Sequence, residues 1–473
     1  MEKFDFVVIG GGSAGYSAAV VAARSGLRTV CIEGGEEVGG LCILRGCMPS
    51  KTLIESANRF LTLRRAKDFG LSAGHVAFDS RAIIQRKREV IGEFAKHRAQ
   101  QLTGGKFKFA RGHAEFTDSH HLKLKLRTGG EEEIEGRTFL ICTGSVLNLM
   151  DLRGLAETGF LDSETALDSD RFPRSVIILG GGAIALEFAH FYNALGLEVT
   201  VLQRSNQVLK EADSDLAEAL VTTYRKRGIR VISGTKLIRF ERTASGKSVW
   251  YERNGEEQVA EADEIFYALG RKPAVQGLGL DKAGVETNKQ KAVVVNDRLQ
   301  TSQPHIFAAG DVTGLYEIVH IAVQQGEIAA GNAKRLLEGK DQVAIDYRLK
   351  MFIMFAEPQM AVVGITEREA AEQGLDVRVA RYPFADHGKS IVRGELDGFV
   401  KLIVNAKNGE IVGGAVIGPD ASELIHEIAV AMNFHSTAAT LASIPHYHPT
   451  LSEIWTYPAE ELAQVGVSVL SPK

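Results

Sequence analysis

Phe4-Asp5-Phe6-Val7-Val8-Ile9-Gly10-Gly11-Gly12-Ser13-Ala14-Gly15 opens the chain. Its first half is a short β-prone apolar run and its second half reads G-x-G-x-x-G. A helical pattern follows through Ala23, and then a second apolar run, Thr29 to Ile32, ends in Glu33. Strand, glycine turn, helix, strand and acid within about thirty residues make a dinucleotide-binding unit. Gly10, Gly12 and Gly15, with Ser13 and Ala14 among them, let a pyrophosphate approach the helix N-terminus closely. Glu33 is spaced to accept hydrogen bonds from ribose hydroxyls.

The pattern returns once. Ser175 to Leu179 is the strand, Gly180-Gly181-Gly182-Ala183-Ile184-Ala185 the turn and Leu197 to Leu202 the next strand. Gly180, Gly182, Ala183 and Ile184 are candidate nucleotide contacts. Here the last glycine is replaced by Ala185, and the second strand runs into Gln203-Arg204 instead of an acid. With no carboxylate to repel a 2′-phosphate, Arg204 and Lys210 are free to pair with one. NADP(H) is therefore favoured, with NAD(H) as the alternative. The competing reading leaves Arg204 as a solvated surface residue.

A third motif is Gly39-Gly40-Leu41-Cys42-Ile43-Leu44-Arg45-Gly46-Cys47-Met48-Pro49-Ser50-Lys51. Pro49 suits the first turn of a helix, which puts Cys47 at a helix N-terminus, where the dipole favours a thiolate. The spacing suits a redox disulfide with Cys42 presented outward. It also suits two structural cysteines in a reduced protein, and spacing alone does not decide.

The 473 residues exceed one core, so about three domains are expected. The net charge of −4 makes no case for nucleic acid or an anionic membrane as partner. Only four cysteines are present, and Cys31 and Cys142 fall in apolar strands as buried thiols. That usage fits a reducing, cytoplasmic compartment. The first strand follows the N-terminus directly, so no leader segment is expected, and no apolar run of membrane-spanning length occurs.

Together the motifs resemble the flavin-dependent pyridine nucleotide–disulfide oxidoreductases over nearly the whole chain. The resemblance implies an α/β fold with two Rossmann-like dinucleotide-binding domains and a C-terminal α+β dimerisation domain. It implies FAD-binding segments at 1–147 and 273–345, a NAD(P)-binding domain at 148–272 and an interface domain at 346–473. Gly40, Lys51 and Ala114 (in Gly112–Phe116) are implied FAD contacts, as are Thr143, Gly144 and Ser145 after the strand Phe139–Cys142. Gly270 and Arg271 in Ala268–Pro273 are the counterpart after the second unit, although Ala274 replaces the family's usual Asn. Gly310 and Asp311, closing Thr301–Asp311, resemble a second flavin motif that meets the ribityl and phosphate region. In Asp346–Lys473 short strands precede a helix from Ser422, and His448-Pro449-Thr450 with Glu453 resembles the family's general base and its orienting carboxylate. In the family that base reaches the other subunit's cysteines, so a homodimer is implied. Lys51 is implied beside flavin N5, paired with Glu187. On this reading Cys47 exchanges electrons with the flavin and Cys42 with substrate. His446 is read as structural, and no metal site is expected.

Signals for the substrate conflict. Tyr16 and Pro49–Leu53 resemble the dihydrolipoyl dehydrogenase branch, whereas Val20 stands where glutathione reductases place an Arg. The second nucleotide site and the Lys401 region resemble mercuric reductases, but the tail Val465–Lys473 lacks their cysteine pair. The expected function is an NAD(P)H:disulfide oxidoreductase of dihydrolipoyl dehydrogenase type, acting on a small dithiol, disulfide or lipoyl carrier. A metal-ion reductase is second, and a non-enzymatic redox sensor or scaffold third.

Overall fold

A computed structural model describes residues 1–465, and the cysteine-free tail 466–473 lies outside the described residues. The first sheet is built around strand Glu2–Ile9, which runs parallel to Thr29–Glu33 on one side and Glu131–Ile141 on the other. Its continuous apolar run fits a strand covered on both faces, with Phe6, Val7 and Val8 fully buried. Lys108–Phe116 extends the sheet beside Thr29–Glu33. Ile306–Ala308 returns from far along the chain to add a parallel edge beside Glu131–Ile141. Helix Ser13–Arg24 covers this sheet through Ala18, Ala19 and Ala22, and packs on helix Val319–Leu337, which offers Ala329, Ala330 and Ala333. Small residues allow these helices to approach closely.

The second unit is a five-stranded sheet ordered Arg230–Ser233, Glu198–Gln203, Ser175–Leu179, Glu264–Tyr267, Leu161–Asp162, all parallel. A three-stranded antiparallel sheet, Lys236–Arg242, Lys247–Arg253 and Glu256–Ala262, packs beside it. The crossing between the units is pinned by Arg271–Pro273 pairing antiparallel with Ser145–Leu147.

The C-terminal part holds a five-stranded antiparallel sheet ordered Met351–Met354, Gln359–Gly364, Ile411–Gly418, Phe399–Asn405, Val377–Pro383. Helix Ala421–Asn433 lies on it through Leu424, Ile425, Ile428 and Met432. Short strands precede the helix here, as expected. Among the described residues no helix is long and apolar enough to cross a membrane.

Candidate active site

Cys47 is the first residue of helix Cys47–Arg64, and Cys42 sits in the short helix Gly40–Leu44 before it. The turn between them is tight, and Ser50 Oγ donates back to Gly46 O at 2.8 Å. Both sulfurs are free thiols and half-buried. The two behave as one acid pair. Hydrogen bonding from Cys42 is the largest influence on Cys47 and lowers its thiol to about 7; burial opposes this, the Lys51 ammonium adds to it, and Glu187 opposes it. The same hydrogen bond, with burial, pushes Cys42 up. Cys47 is therefore the stabilised thiolate and Cys42 keeps its proton. Cys31 and Cys142 are buried, and burial raises both.

Lys51 lies one turn past Cys47 in the same helix, half-buried, with Nζ 2.8 Å from Glu187 Oε2. Glu187 belongs to helix Ala183–Ala194, which starts at the second glycine turn. Its other oxygen accepts the Phe355 N–H at 2.9 Å, and Lys51 Nζ stands 5.0 Å from the Phe355 ring centre.

At the C-terminal part, His448 Nδ1 is 3.0 Å from Glu453 Oε2 and 3.2 Å from Oε1. Glu453 is buried, while the His448 side chain is 79% exposed and makes no hydrogen bond to Cys42 or Cys47 of its own chain. His446 turns away to Glu427, with Nε2 at 2.7 Å, as a structural residue would. The geometry thus joins the two cysteines to Lys51 and Glu187, and holds the exposed His448 on the buried Glu453 apart from them.

Residues 4–326 match the family model described as pyridine nucleotide-disulphide oxidoreductase, and residues 352–459 match its dimerisation domain. The chain belongs to the pyridine nucleotide-disulphide oxidoreductase family. It is 35% identical over 455 residues to a dihydrolipoyl dehydrogenase of Mycobacterium tuberculosis, covering 96% of this chain and 97% of the relative. It is 33% identical over 475 residues to that of Thermus scotoductus, covering 100% of both. Among solved structures, LpdA from Mycobacterium tuberculosis superposes with a TM-score of 0.87 at 28% identity, covering 98% of this chain and 100% of that one. A Cu(II) complex of the HOCl-induced flavoprotein disulfide reductase RclA from Escherichia coli gives 0.84 at 29%, with the same coverage. The protein is an FAD-dependent pyridine nucleotide–disulfide oxidoreductase, and it carries the family's dimerisation domain.

The residues present fit the flavin this family uses. Gly10 has φ +117, and a Cβ there would lie 2.4 Å from Cys142 O, so the first turn closes only with glycine. Past it, a Cβ on Gly12 would have nothing nearer than Gly40 Cα at 3.9 Å, and Gly144 faces open space. Gly12 leads straight into the N-terminus of helix Ser13–Arg24, where Ser13 and Ala14 begin the helix. Glu33 ends its strand and accepts the N–H groups of Gly11 at 3.0 Å and Gly35 at 2.6 Å, which holds the carboxylate at the turn. Asp311 follows Ile306–Ala308, with Gly310 at φ +76, and accepts the Ser145 hydroxyl at 2.7 Å. Ala114 is buried in Lys108–Phe116, and Thr143 Oγ1 donates to Ala274 O at 2.7 Å.

Two expected contacts, Arg271 and Lys210, have a different local setting. Arg271, beside Gly270, gives its Nε to Ser145 Oγ and Nη2 to Ser145 O, both at 2.9 Å, and faces Glu164 at 3.4 Å. Its guanidinium thus locks the crossing between the units. Lys210 lies 3.5 Å from Glu211, with both side chains mostly exposed. Gln203 turns inward and donates to Gln207 O at 3.2 Å. Arg204 is exposed with no hydrogen bond or ion pair among the described residues, and it follows Gln203, whose side chain a Cβ on Gly181 would meet at 3.0 Å.

Two buried residues had no role assigned from sequence. Lys401, fully buried, reaches Asp213, Asp215 and Glu367, each at 2.8 Å, and ties the C-terminal sheet to the second nucleotide unit. His387, also fully buried, lies behind Glu453. Neither sits in a local motif, so only the folded arrangement exposes them.

Proposed function

We propose that the chain passes electrons between NADP(H) and a small dithiol or disulfide of lipoyl type, working as a homodimer in a reducing compartment. The observation that carries this reading is the unequal thiol pair, with Cys47 held near neutral by Cys42 and Lys51 while Cys42 keeps its proton. FAD, when bound, supplies two-electron transfer between nicotinamide and thiols. The chain's own residues handle the sulfur chemistry. A substrate thiolate attacks Cys42 Sγ of the oxidised pair, and the Cys42–Cys47 bond breaks with Cys47 leaving as thiolate. A low-pKa thiol is the better leaving group, so attack is directed to Cys42. The second substrate thiol then attacks the mixed disulfide and releases oxidised substrate and the Cys42 thiol. His448 takes the substrate's proton, and Glu453 on Nδ1 leaves Nε2 free to do so. Because His448 touches neither cysteine of its own chain, it is assigned to the partner's pair. Arg204, unpartnered at the second nucleotide turn, supports the preference for a 2′-phosphate. The dihydrolipoyl dehydrogenase relatives support the lipoyl class.

A metal-ion reductase is the second reading, favoured by the structural likeness to a reductase solved as a Cu(II) complex. The test is one substrate panel on purified enzyme: dihydrolipoamide with NADP or NAD, and lipoamide, glutathione disulfide, Cu(II) or Hg(II) with NADPH or NADH. Lipoyl turnover that requires Cys42, Cys47 and His448 is the expected result. Metal-dependent NADPH oxidation without lipoyl turnover would replace the first reading with the second.

A further inference from the structure

Resting on the base assigned above, we propose that His387 is a positioning residue for that base: its imidazole holds the Glu453 carboxylate, which in turn orients His448. His387 follows the turn Phe384–Asp386 and precedes helix Gly388–Arg393. Its side chain is fully buried. Nδ1 lies 2.9 Å from Ser390 Oγ. Nε2 lies 3.3 Å from Glu453 Oε1 and forms no aligned hydrogen bond. The carboxylate therefore stands between two imidazoles, the buried His387 behind and the exposed His448 in front.

The chemistry of the groups assigns the protons. A carboxylate only accepts, and a neutral imidazole has one N–H to give. Burial holds the His387 pKa below its usual value, with His448 pushing the same way and Glu453 and the Thr450 backbone opposing. The titratable groups facing it are Glu453, His448 and Tyr457, whose ring packs edge-on at 6.3 Å. His387 is thus neutral. The Ser390 hydroxyl can donate to Nδ1, which places the proton on Nε2, pointing at Glu453 Oε1. A buried N–H without a partner is costly, and the Glu453 carboxylate is the charged acceptor within 3.3 Å of it. With Oε1 held from behind, Oε2 is left for His448 Nδ1–H, and the base keeps its tautomer and direction.

The test uses the FAD-loaded dimer. His387→Phe keeps the ring volume and removes both nitrogens, whereas His387→Asn keeps a donor. His387→Phe is expected to lower kcat for dihydrolipoamide about ten- to a hundredfold with KM little changed, the range for a lost hydrogen bond to a charged group. The acid limb of its pH profile moves to higher pH, because carboxylate charge no longer shared with His387 favours the imidazolium form of His448. Flavin reduction by NADPH stays at the wild-type rate, and His387→Asn recovers most of kcat and returns the acid limb. Wild-type kcat and profile in His387→Phe would overturn the proposal. So would equal losses in both variants with the profile unmoved, which mark a packing role. If His387→Phe fails to retain FAD, Ser390→Ala decides: it frees the tautomer and is expected to shift kcat and profile the same way by less, and no change in either overturns the proposal. A wild-type rate in His448→Ala would remove the underlying base assignment. A disabled His448→Ala beside an unaffected His387→Phe removes this inference alone.

Discussion

Lys51 Nζ lies 2.8 Å from Glu187 Oε2, although 136 positions separate them in the chain. Lys51 is one turn into the helix that Cys47 opens, and Glu187 is one turn into the helix that the second glycine turn opens. His190, one turn further, donates from Nε2 to Asn58 Oδ1 at 2.7 Å on the same partner helix. Arg64 Nη1 adds a third contact, to Ala194 O at 3.4 Å, so the two helices run side by side with the sulfur end of one facing the nucleotide end of the other. Glu187 is buried, so removing Lys51 leaves an uncompensated carboxylate.

The pH dependence of Cys47 should report that pair. Cys42→Ser keeps a hydroxyl donor to Cys47 and leaves no other half-exposed thiol, since Cys31 and Cys142 are buried. A thiolate lowered to about 7 is present above that pH and lost as the pH falls through it. In Cys42→Ser the long-wavelength absorption of a Cys47 thiolate against the flavin is expected to rise with pH through about 7. Adding Lys51→Met removes a cation that lowers Cys47, so the rise moves to higher pH. A band that survives Cys47→Ser would reverse the assignment of the two sulfurs.

Arg204 should carry the nucleotide preference nearly alone. Gln203 faces Gln207 and Lys210 faces Glu211, which leaves Arg204 without a protein partner. A charge-assisted contact of about 1.5–3 kcal/mol predicts that Arg204→Ala lowers kcat/KM for NADPH about ten- to a hundredfold, with NADH nearly unchanged. Lys210→Ala should cost less. Steady-state kinetics with both nucleotides checks this, and a wild-type preference for NADH defeats it.

The glycine turns and the flanking strands were legible in sequence because each is local: residues within about thirty positions share one turn and one helix start. Cys47 at a helix start was legible for the same reason, from Pro49 two residues on. His387 was not, since Asp386-His387-Gly388-Lys389 reads as a polar loop and its meaning comes from Glu453, brought in by a separate turn. Arg271 shows the converse. Its motif suggested a cofactor contact, and the fold adds contacts to Ser145 and Glu164 that the motif does not reveal. A side chain with five donors takes its partners from tertiary neighbours that spacing cannot reveal. Lys401, in an apolar strand, was singled out without a role; three carboxylates from two other segments give it one.

That lysine predicts a stability effect. Burial pushes the Asp215 carboxyl up, but Lys401 and Arg381 outweigh it and hold it low. Burial likewise disfavours the Lys401 ammonium, and Asp213, Asp215 and Glu367 together raise its pKa. Lys401→Met leaves the carboxylates facing one another, and breaking such a buried pair typically costs about 3–5 kcal/mol. The midpoint of thermal unfolding should fall accordingly at neutral pH. A depressed carboxyl stabilises above its unfolded pKa and loses that contribution as the pH falls through its folded value. The gap between wild type and Lys401→Met should therefore narrow in acid, and a gap independent of pH would argue that the lysine acts only by packing.

The shared site predicts complementation between two inactive proteins. His448 is exposed on the dimerisation part and unconnected to its own cysteines. His448→Ala should lose about 10²–10⁴-fold in dithiol turnover, the usual contribution of a general base, and little in flavin reduction by NADPH. Cys47→Ser should lose dithiol turnover altogether. In a two-fold dimer whose base serves the partner's sulfurs, a mixed dimer of these variants has one site with both lesions and one with neither. Full random exchange makes half the dimers mixed, each with one of its two sites intact, so activity should return to about a quarter of wild type. Exchange is verified by mass-tagged subunits and turnover followed with dihydrolipoamide. Verified exchange with no returning activity would place His448 on its own chain's cysteines and remove the shared-site reading.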